Sequence, residues 1–267
     1  MNGIIRAYMV RLRTSIRSTV VYSVAYGVGI IALSVIVGVL YPGIYTPMTR
    51  HALEVLAVRM LGAHEGTVSE SILGVVAAAV YSPFLAALIA AFVASGAISS
   101  LFTEDRGEGV FEVLLAAPVT KRDIVLSLLV YTLLVSLLVE AVVMATASGV
   151  SLLSLYFLGY LRSLGSYYIK LSVLLVPSLT LPAALISLLL TIVAPSLGSV
   201  RTGLAPGQNV LATISLLPAL VPFLVLNINP RIDPSELAFY TFILSVIITF
   251  ILLLFLPRVL KEETLLR

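Results

Sequence analysis

Few residues of this 267-residue chain have the types and spacing that catalysis requires. None of its three lysines, Lys121, Lys170 and Lys261, follows a glycine, so the chain lacks the Gly-Lys-Ser/Thr sequence with which a P-loop cradles phosphates. Its two histidines, His51 and His64, do not form the His-Glu-x-x-His sequence of a zinc protease, and no Gly-x-Ser-x-Gly sequence occurs. We therefore expect no catalytic residue, no metal site and no cofactor bound by this chain.

One segment, from Glu104 to Asp123, differs in composition from the rest of the chain. It holds eight of the 29 charged residues in twenty positions. Four large apolar residues recur in it at helical spacing and predict a ridge, namely Val110, Phe111, Leu114 and Leu115. Charged residues predict a polar rim around that ridge, namely Glu104, Asp105, Arg106, Glu108 and Glu112. Pro118 is predicted to end the helix before Thr120 begins the next one. A solvated linker would explain the charges but not the apolar ridge, so the pattern favours a docking segment.

The composition of the whole chain predicts what kind of helices lie on either side of this segment. Hydrophobic residues make up 60% of the sequence and charged residues only 11%, whereas a soluble domain has about 25% charged residues. A water-exposed surface cannot be built from so few charges, so the apolar excess is expected to face lipid. The fold class predicted is an all-α, polytopic membrane protein.

Long uncharged stretches predict about six transmembrane helices, because each crossing takes about 20 apolar residues. The predicted spans are 20–40, 72–100, 124–145, 170–194, 209–228 and 236–257, all within one transmembrane domain, 1–267. The basic stretch 1–19 predicts an amphipathic helix on the membrane surface. The stretch 148–161 is too short to cross comfortably and predicts an interfacial or partly re-entrant helix. A short helix outside the membrane is predicted from Thr46-Pro47 to Gly62, with Leu53 and Leu56 facing inward.

The lysines and arginines predict the orientation of the chain. With six spans, eleven of these sixteen residues fall on the side of both termini and five on the other. The positive-inside rule then places both termini, and the connection 103–123, in the cytoplasm. The predicted localisation is the plasma membrane, with lipid around the spans.

Two ionisable residues are expected within or beside the spans. Glu140 lies about sixteen residues into the third predicted span and Lys170 opens the fourth. An intramembrane carboxylate is expected to face protein or water rather than lipid. We expect Glu140 and Lys170 to form a structural pair, with a role in transport as the alternative.

The charged segment resembles the first cytoplasmic loop of type-2 ABC transporter permeases, the membrane subunits of exporters. In that family an acidic and basic run leads to Gly-Thr-Leu-Glu-x-Leu-Leu, a small residue and Pro-Val, and a basic residue opens the next span. This chain has Gly109-Val110-Phe111-Glu112-Val113-Leu114-Leu115 and then Pro118-Val119 in that order. It departs from the family in Val110-Phe111, where Thr-Leu is usual, and in having no lysine near Ser127.

The resemblance implies a permease that works with cytoplasmic ATPase subunits. ATP and Mg would then be bound by those ATPases, and a second copy or a homologous permease would complete a dimer that moves its substrate outward. Residues 103–123 would couple the ATPase to the spans. No nucleic-acid partner is expected. A stand-alone secondary transporter or channel and a non-transporting scaffold subunit are the alternatives, and nothing in the sequence selects the substrate.

Overall fold

The computed structural model describes residues 2–40, 46–61, 68–116, 120–194, 196, 209–229 and 232–259. Side-chain positions are described for all of these except 2–16, 38, 39, 111, 114, 115, 121 and 122. Helices account for 93% of the described residues, so the predicted all-α class is confirmed. The helices are α1 (Asn2–Leu40), α2 (Pro47–Leu61), α3 (Glu70–Gly107), α4 (Val110–Ala116), α5 (Lys121–Phe157), α6 (Leu161–Val193), α7 (Val210–Ser215), α8 (Leu217–Ile228) and α9 (Pro234–Val259).

Five segments of these helices are long and apolar enough to cross a membrane. They are Arg17–Val37, Glu70–Gly107, Asp123–Phe157, Leu161–Val193 and Pro234–Val259. At 1.5 Å per residue, the 38 residues of α3 extend about 57 Å, well beyond the roughly 30 Å hydrocarbon core of a bilayer. The chain is therefore a multi-pass helical membrane protein whose longest helices exceed the thickness of the bilayer core.

Residues 209–228, the fifth predicted span, form two shorter helices. Asn209 begins α7, and its side chain accepts a hydrogen bond from the amide of Ala212 at 3.0 Å. The two helices meet at Leu216, which keeps helical backbone angles. Pro218 has no amide hydrogen to donate to the preceding turn, which accounts for the interruption at this point.

The N-terminal stretch is helical, but it does not form a helix of its own. A separate surface helix over 1–19 was predicted, whereas α1 runs from Asn2 to Leu40 without a break. The sequence between Gly3 and Gly27 contains neither glycine nor proline, so nothing in the backbone favours an interruption. The basic segment therefore belongs to the same helix as the first candidate span.

The prediction for 148–161 is also corrected. Instead of a separate interfacial or re-entrant helix, these residues complete α5, form a three-residue turn and begin α6 at Leu161. Gly159 in that turn has φ +81°, a left-handed conformation that glycine adopts at little cost. The extended end of α5 packs on α3, since the Ser151 and Ser82 hydroxyls lie 3.2 Å apart and Leu155 is buried. Packing against α3 stabilises the added turns of α5.

The centre of the bundle is the parallel pair α3 and α6. Small residues let the two helices approach closely, and Ala87, Ala90 and Ala94 of α3 are completely buried. Ser187 of α6 donates a hydrogen bond to the backbone carbonyl of Ser95 at 2.9 Å. Helices α1 and α5 pack around this pair on one side, and α9 packs on α6.

The contact between α6 and α9 compensates for a proline in α6. Pro182 cannot donate a backbone hydrogen bond to the carbonyl of Ser178, four residues earlier. The hydroxyl of Ser245 in α9 donates to that carbonyl instead, and both serines are buried. A backbone group that would otherwise lack a donor thus becomes the polar contact between two helices.

We expect Ser245→Ala to lower the free energy of unfolding by about 1 kcal/mol, because the Ser178 carbonyl loses its donor. The cost should shrink in a Pro182→Ala background, where residue 182 regains an amide hydrogen. Thermal unfolding in detergent of the unsubstituted chain, the two single variants and the double variant measures this coupling. Thr241→Val is a matched control, since the Thr241 hydroxyl donates within α9, to the carbonyl of Leu237. If Ser245→Ala lowers the free energy of unfolding equally in both backgrounds, the Ser245 hydroxyl does not replace the missing amide hydrogen of Pro182.

Candidate functional site: the α3–α5 connection and a chamber beside α2

The charged segment forms the end of α3, a tight turn and the short helix α4. Glu104, Asp105 and Arg106 belong to the last turns of α3. The amide of Gly109 donates to the carbonyl of Arg106 at 3.1 Å, and Gly109 has φ +69°. A residue with a side chain would be strained in this conformation, so Gly109 allows α4 to leave α3 at a sharp turn. The backbone of Val110–Ala116 is helical, which the predicted ridge requires.

Two of the five predicted rim residues turn inward. Asp105 is completely buried, and Arg106 donates a hydrogen bond to the carbonyl of Thr191 at 3.2 Å. Thr191 lies in the last turn of α6, where carbonyls lack partners within the helix and attract cations. The expectation that Asp105 lies on a polar rim is therefore wrong, because the end of α6 packs beside it, whereas Arg106 is partly exposed.

The remaining rim residues agree with the prediction. Glu104, Glu108 and Glu112 are exposed, and Val110 is half-buried. The side chains of Phe111, Leu114 and Leu115, and the whole of Pro118, lie outside the described residues. Val113, which the ridge did not include, is 70% exposed and adds an apolar side chain to the surface of α4.

Helix α5 begins at Thr120 as predicted, with Thr120 as its N-cap. The Thr120 side chain accepts a hydrogen bond from the amide of Asp123 at 3.2 Å and donates one to the Asp123 carboxylate at 2.8 Å. Both groups lie just after the connection, so the first turn of α5 has a defined start.

The predicted pair of Glu140 and Lys170 does not form. Glu140 is 8% exposed, whereas Lys170 is exposed, and no ion pair joins them. Because α5 and α6 form a hairpin, depth can be counted from their turn. Glu140 lies about 26 Å from it and Lys170 about 14 Å, at 1.5 Å per residue. The two side chains are therefore offset by about 12 Å along the bundle, because α5 continues to Phe157 instead of ending near residue 145 as predicted.

A chamber of about 370 Å³ lies between α1, α2, α3 and α8. Among the residues that the structure describes, its lining contains six with a hydroxyl or amide group, five that are apolar and none that is charged. They are Ser34, Val37, Thr46, Thr49, Ala77, Ala78, Tyr81, Ser82, Leu85, Phe223 and Asn227. The rings of Tyr81 and Phe223 pack edge to face with centroids 6.4 Å apart. No sequence pattern predicted the chamber, since its hydroxyl and amide groups come from α1, α2, α3, α8 and the residue that precedes α2.

Helix α2 borders the chamber and is fastened to a distant part of the chain. The predicted short helix is confirmed, and Leu53 and Leu56 are buried as expected. Arg59 in its last turn forms an ion pair with Asp233, the guanidinium nitrogen lying 2.7 Å from the carboxylate. Asp233 also accepts hydrogen bonds from the amide and the hydroxyl of Ser235, each at 2.8 Å, at the start of α9.

These contacts explain the ionisation of Asp233. Partial burial alone would raise the pKa of its carboxyl group, but hydrogen bonds from Ser235, the charge of Arg59 and a hydrogen bond from the amide of Glu236 outweigh it. The pKa of Asp233 is held below its ordinary value, so the carboxylate remains charged and available to Arg59 at neutral pH.

Comparison with models of protein families, with curated protein sequences and with solved structures finds no match to this chain.

Proposed function

We propose that the chain is the permease subunit of an ATP-driven exporter of the ABC-2 type in the plasma membrane. The observation that carries the proposal is the connection between α3 and α5. There a Gly109-Val110-Phe111-Glu112 sequence follows a charged run, and a short helix with exposed acids leaves the end of a long membrane helix. Such an element suits the transfer of motion from an ATPase subunit to the spans.

The proposed topology has six crossings and both termini in the cytoplasm. Five crossings are the candidate spans, and α7 with α8 makes the sixth. Residues 210–228 extend about 28 Å at 1.5 Å per residue, close to the thickness of a bilayer core. The eleven-to-five distribution of lysine and arginine supports the orientation. A second copy or a homologous permease would complete the transporter, and ATP and Mg would be bound by two ATPase subunits.

Co-purification tests the proposal directly. An affinity-tagged chain, extracted from its native membrane in mild detergent, should retain a P-loop ATPase in about equal amount, and the complex should hydrolyse ATP. The chain carrying Glu112→Lys, a charge reversal on the exposed side of α4, should retain much less of it. Purification of the chain without any ATPase, together with transport that needs no ATP, would contradict the proposal.

A stand-alone, ion-coupled transporter is the second candidate, and Glu140 favours it. This acid is buried in a candidate span and forms no ion pair with another described residue. Intramembrane acids of this kind mark ion pathways in secondary transporters. Under this alternative, transport would follow an ion gradient without ATP and would be lost in Glu140→Gln.

A further inference from the structure

Helix α2 lies across one end of the bundle with a cavity on each side. Thr49 in its first turn and the preceding Thr46 line the chamber between α1, α3 and α8. His51 and Arg59 line a second cavity of about 280 Å³, which also borders Ile232 and Asp233. The helix therefore separates the chamber from the region around the start of α9.

Two sets of polar contacts hold α2 in this position, and they differ in strength. Arg50 approaches Glu54 and Glu70 at 3.5 Å, and all three side chains are well exposed. Arg59 and Asp233 form a hydrogen-bonded ion pair at 2.7 Å, in which the Arg59 side chain is 61% exposed and the Asp233 side chain 25% exposed. This shorter pair joins residues 174 positions apart, so it is the contact that ties α2 to α9.

The chamber has a lining that favours one class of ligand. Its hydroxyls and the Asn227 amide can exchange hydrogen bonds, and Phe223 and Leu85 offer apolar surface. In this partly open chamber a charged ligand would lose part of its water, and the described part of the lining offers it no opposite charge, which is costly. The nearby ionic groups of α2 are engaged with Glu54, Glu70 and Asp233.

We propose that the chamber is a binding site for an uncharged, amphiphilic ligand, that α2 is its lid, and that the Arg59–Asp233 ion pair is the latch of this lid. Calling the ligand a transported substrate rests on the proposed function, whereas the lid and the chamber do not. Access to the chamber can be measured on the chain alone, without an ATPase. A negative result would therefore leave the ATP-driven proposal standing, and failure of the ATP-driven proposal would leave the lid and the chamber standing.

The absence of cysteine allows access to the chamber to be measured by thiol modification. Ala77→Cys introduces a thiol in the chamber lining. Val113→Cys introduces one at an exposed position on α4 and reports general reactivity. Each substitution is made in the full chain in nanodiscs, where reagents reach both faces, and modification rates are followed by mass spectrometry.

Weakening the Arg59–Asp233 ion pair should raise the rate of thiol modification at position 77. Asp233→Asn removes the charge but keeps an oxygen that can accept from Ser235, and should raise the rate about two- to fivefold. Arg59→Glu replaces attraction by repulsion and should raise it more than about fivefold. Adding Asp233→Asn to Arg59→Glu should then lower the rate again, because the repulsion is removed. Arg50→Gln is the matched control and should change the rate less than twofold.

Three results would overturn the latch. One is a modification rate at position 77 that stays within twofold in every variant. Another is a parallel increase at position 113, which would mean that the whole chain has loosened. An additive increase in the double variant would also contradict a direct interaction of Arg59 with Asp233.

The class of ligand is tested with two reagents on the latched chain. N-ethylmaleimide is uncharged, and the trimethylammonium-ethyl methanethiosulfonate reagent is a cation. For each reagent, the modification rate at position 77 is divided by the rate at position 113. This ratio should be about tenfold or more higher for the uncharged reagent than for the cation. Equal normalised rates would show that the chamber admits charge and would overturn the assignment of an uncharged ligand.

Discussion

Replacement of Phe111 by alanine should separate ATP hydrolysis from transport, or release the ATPase, while the chain still inserts and folds. Phe111 lies in α4 and is the largest apolar residue of the predicted ridge. Docking of its ring into a partner groove is worth about 2 kcal/mol at about 25 cal/mol per Å². Its loss should therefore weaken retention of the ATPase about 30-fold. The measurement is the amount of ATPase bound to the purified chain, together with ATP-driven transport in proteoliposomes.

A matched control for Phe111→Ala lies on α9. Phe239 is 52% exposed on a candidate span, so Phe239→Ala removes the same side chain from a surface that is expected to face lipid. It should leave ATPase retention unchanged. Normal retention and normal transport in Phe111→Ala would show that α4 is not the coupling element.

Replacement of Gly27 by leucine should detach α1 from α5 and produce the largest loss of stability among the substitutions considered. A Cβ atom built at Gly27 would lie 2.5 Å from the hydroxyl oxygen of Thr146 in α5, closer than any real contact. Overpacking by a single small group costs about 1–3 kcal/mol, and a whole leucine side chain should exceed that range. Thermal unfolding in detergent and the yield of monodisperse protein measure the loss.

Gly29 supplies the control for the leucine substitution at Gly27. It lies two residues further along α1, where a Cβ would meet nothing within 4 Å, so Gly29→Leu should be tolerated. Thr146→Ala should also rescue the milder Gly27→Ala, because only the Thr146 Cβ, at 3.5 Å, would remain near the added methyl group. A similar loss of stability at positions 27 and 29 would mean that helix propensity, not the contact with α5, is responsible.

The uncharged stretches and the local capping residues determined much of the architecture. Apolar runs predicted the membrane helices, and Thr120 predicted the start of α5. These signals are local, since a helix start is fixed by bonds among residues two to four positions apart. The same locality explains why Thr46-Pro47 to Gly62 predicted α2 and its buried face correctly.

Only the tertiary structure decided which face of each helix meets protein. In a soluble helix a polar face opposes the core, but a membrane helix is apolar on all sides, so its sequence period carries little information about partners. The burial of Asp105 and the bond from Arg106 to the end of α6 both follow from how the long helices pack. The same holds for the Arg59–Asp233 pair, which joins residues 174 positions apart and depends on α2 lying beside the start of α9.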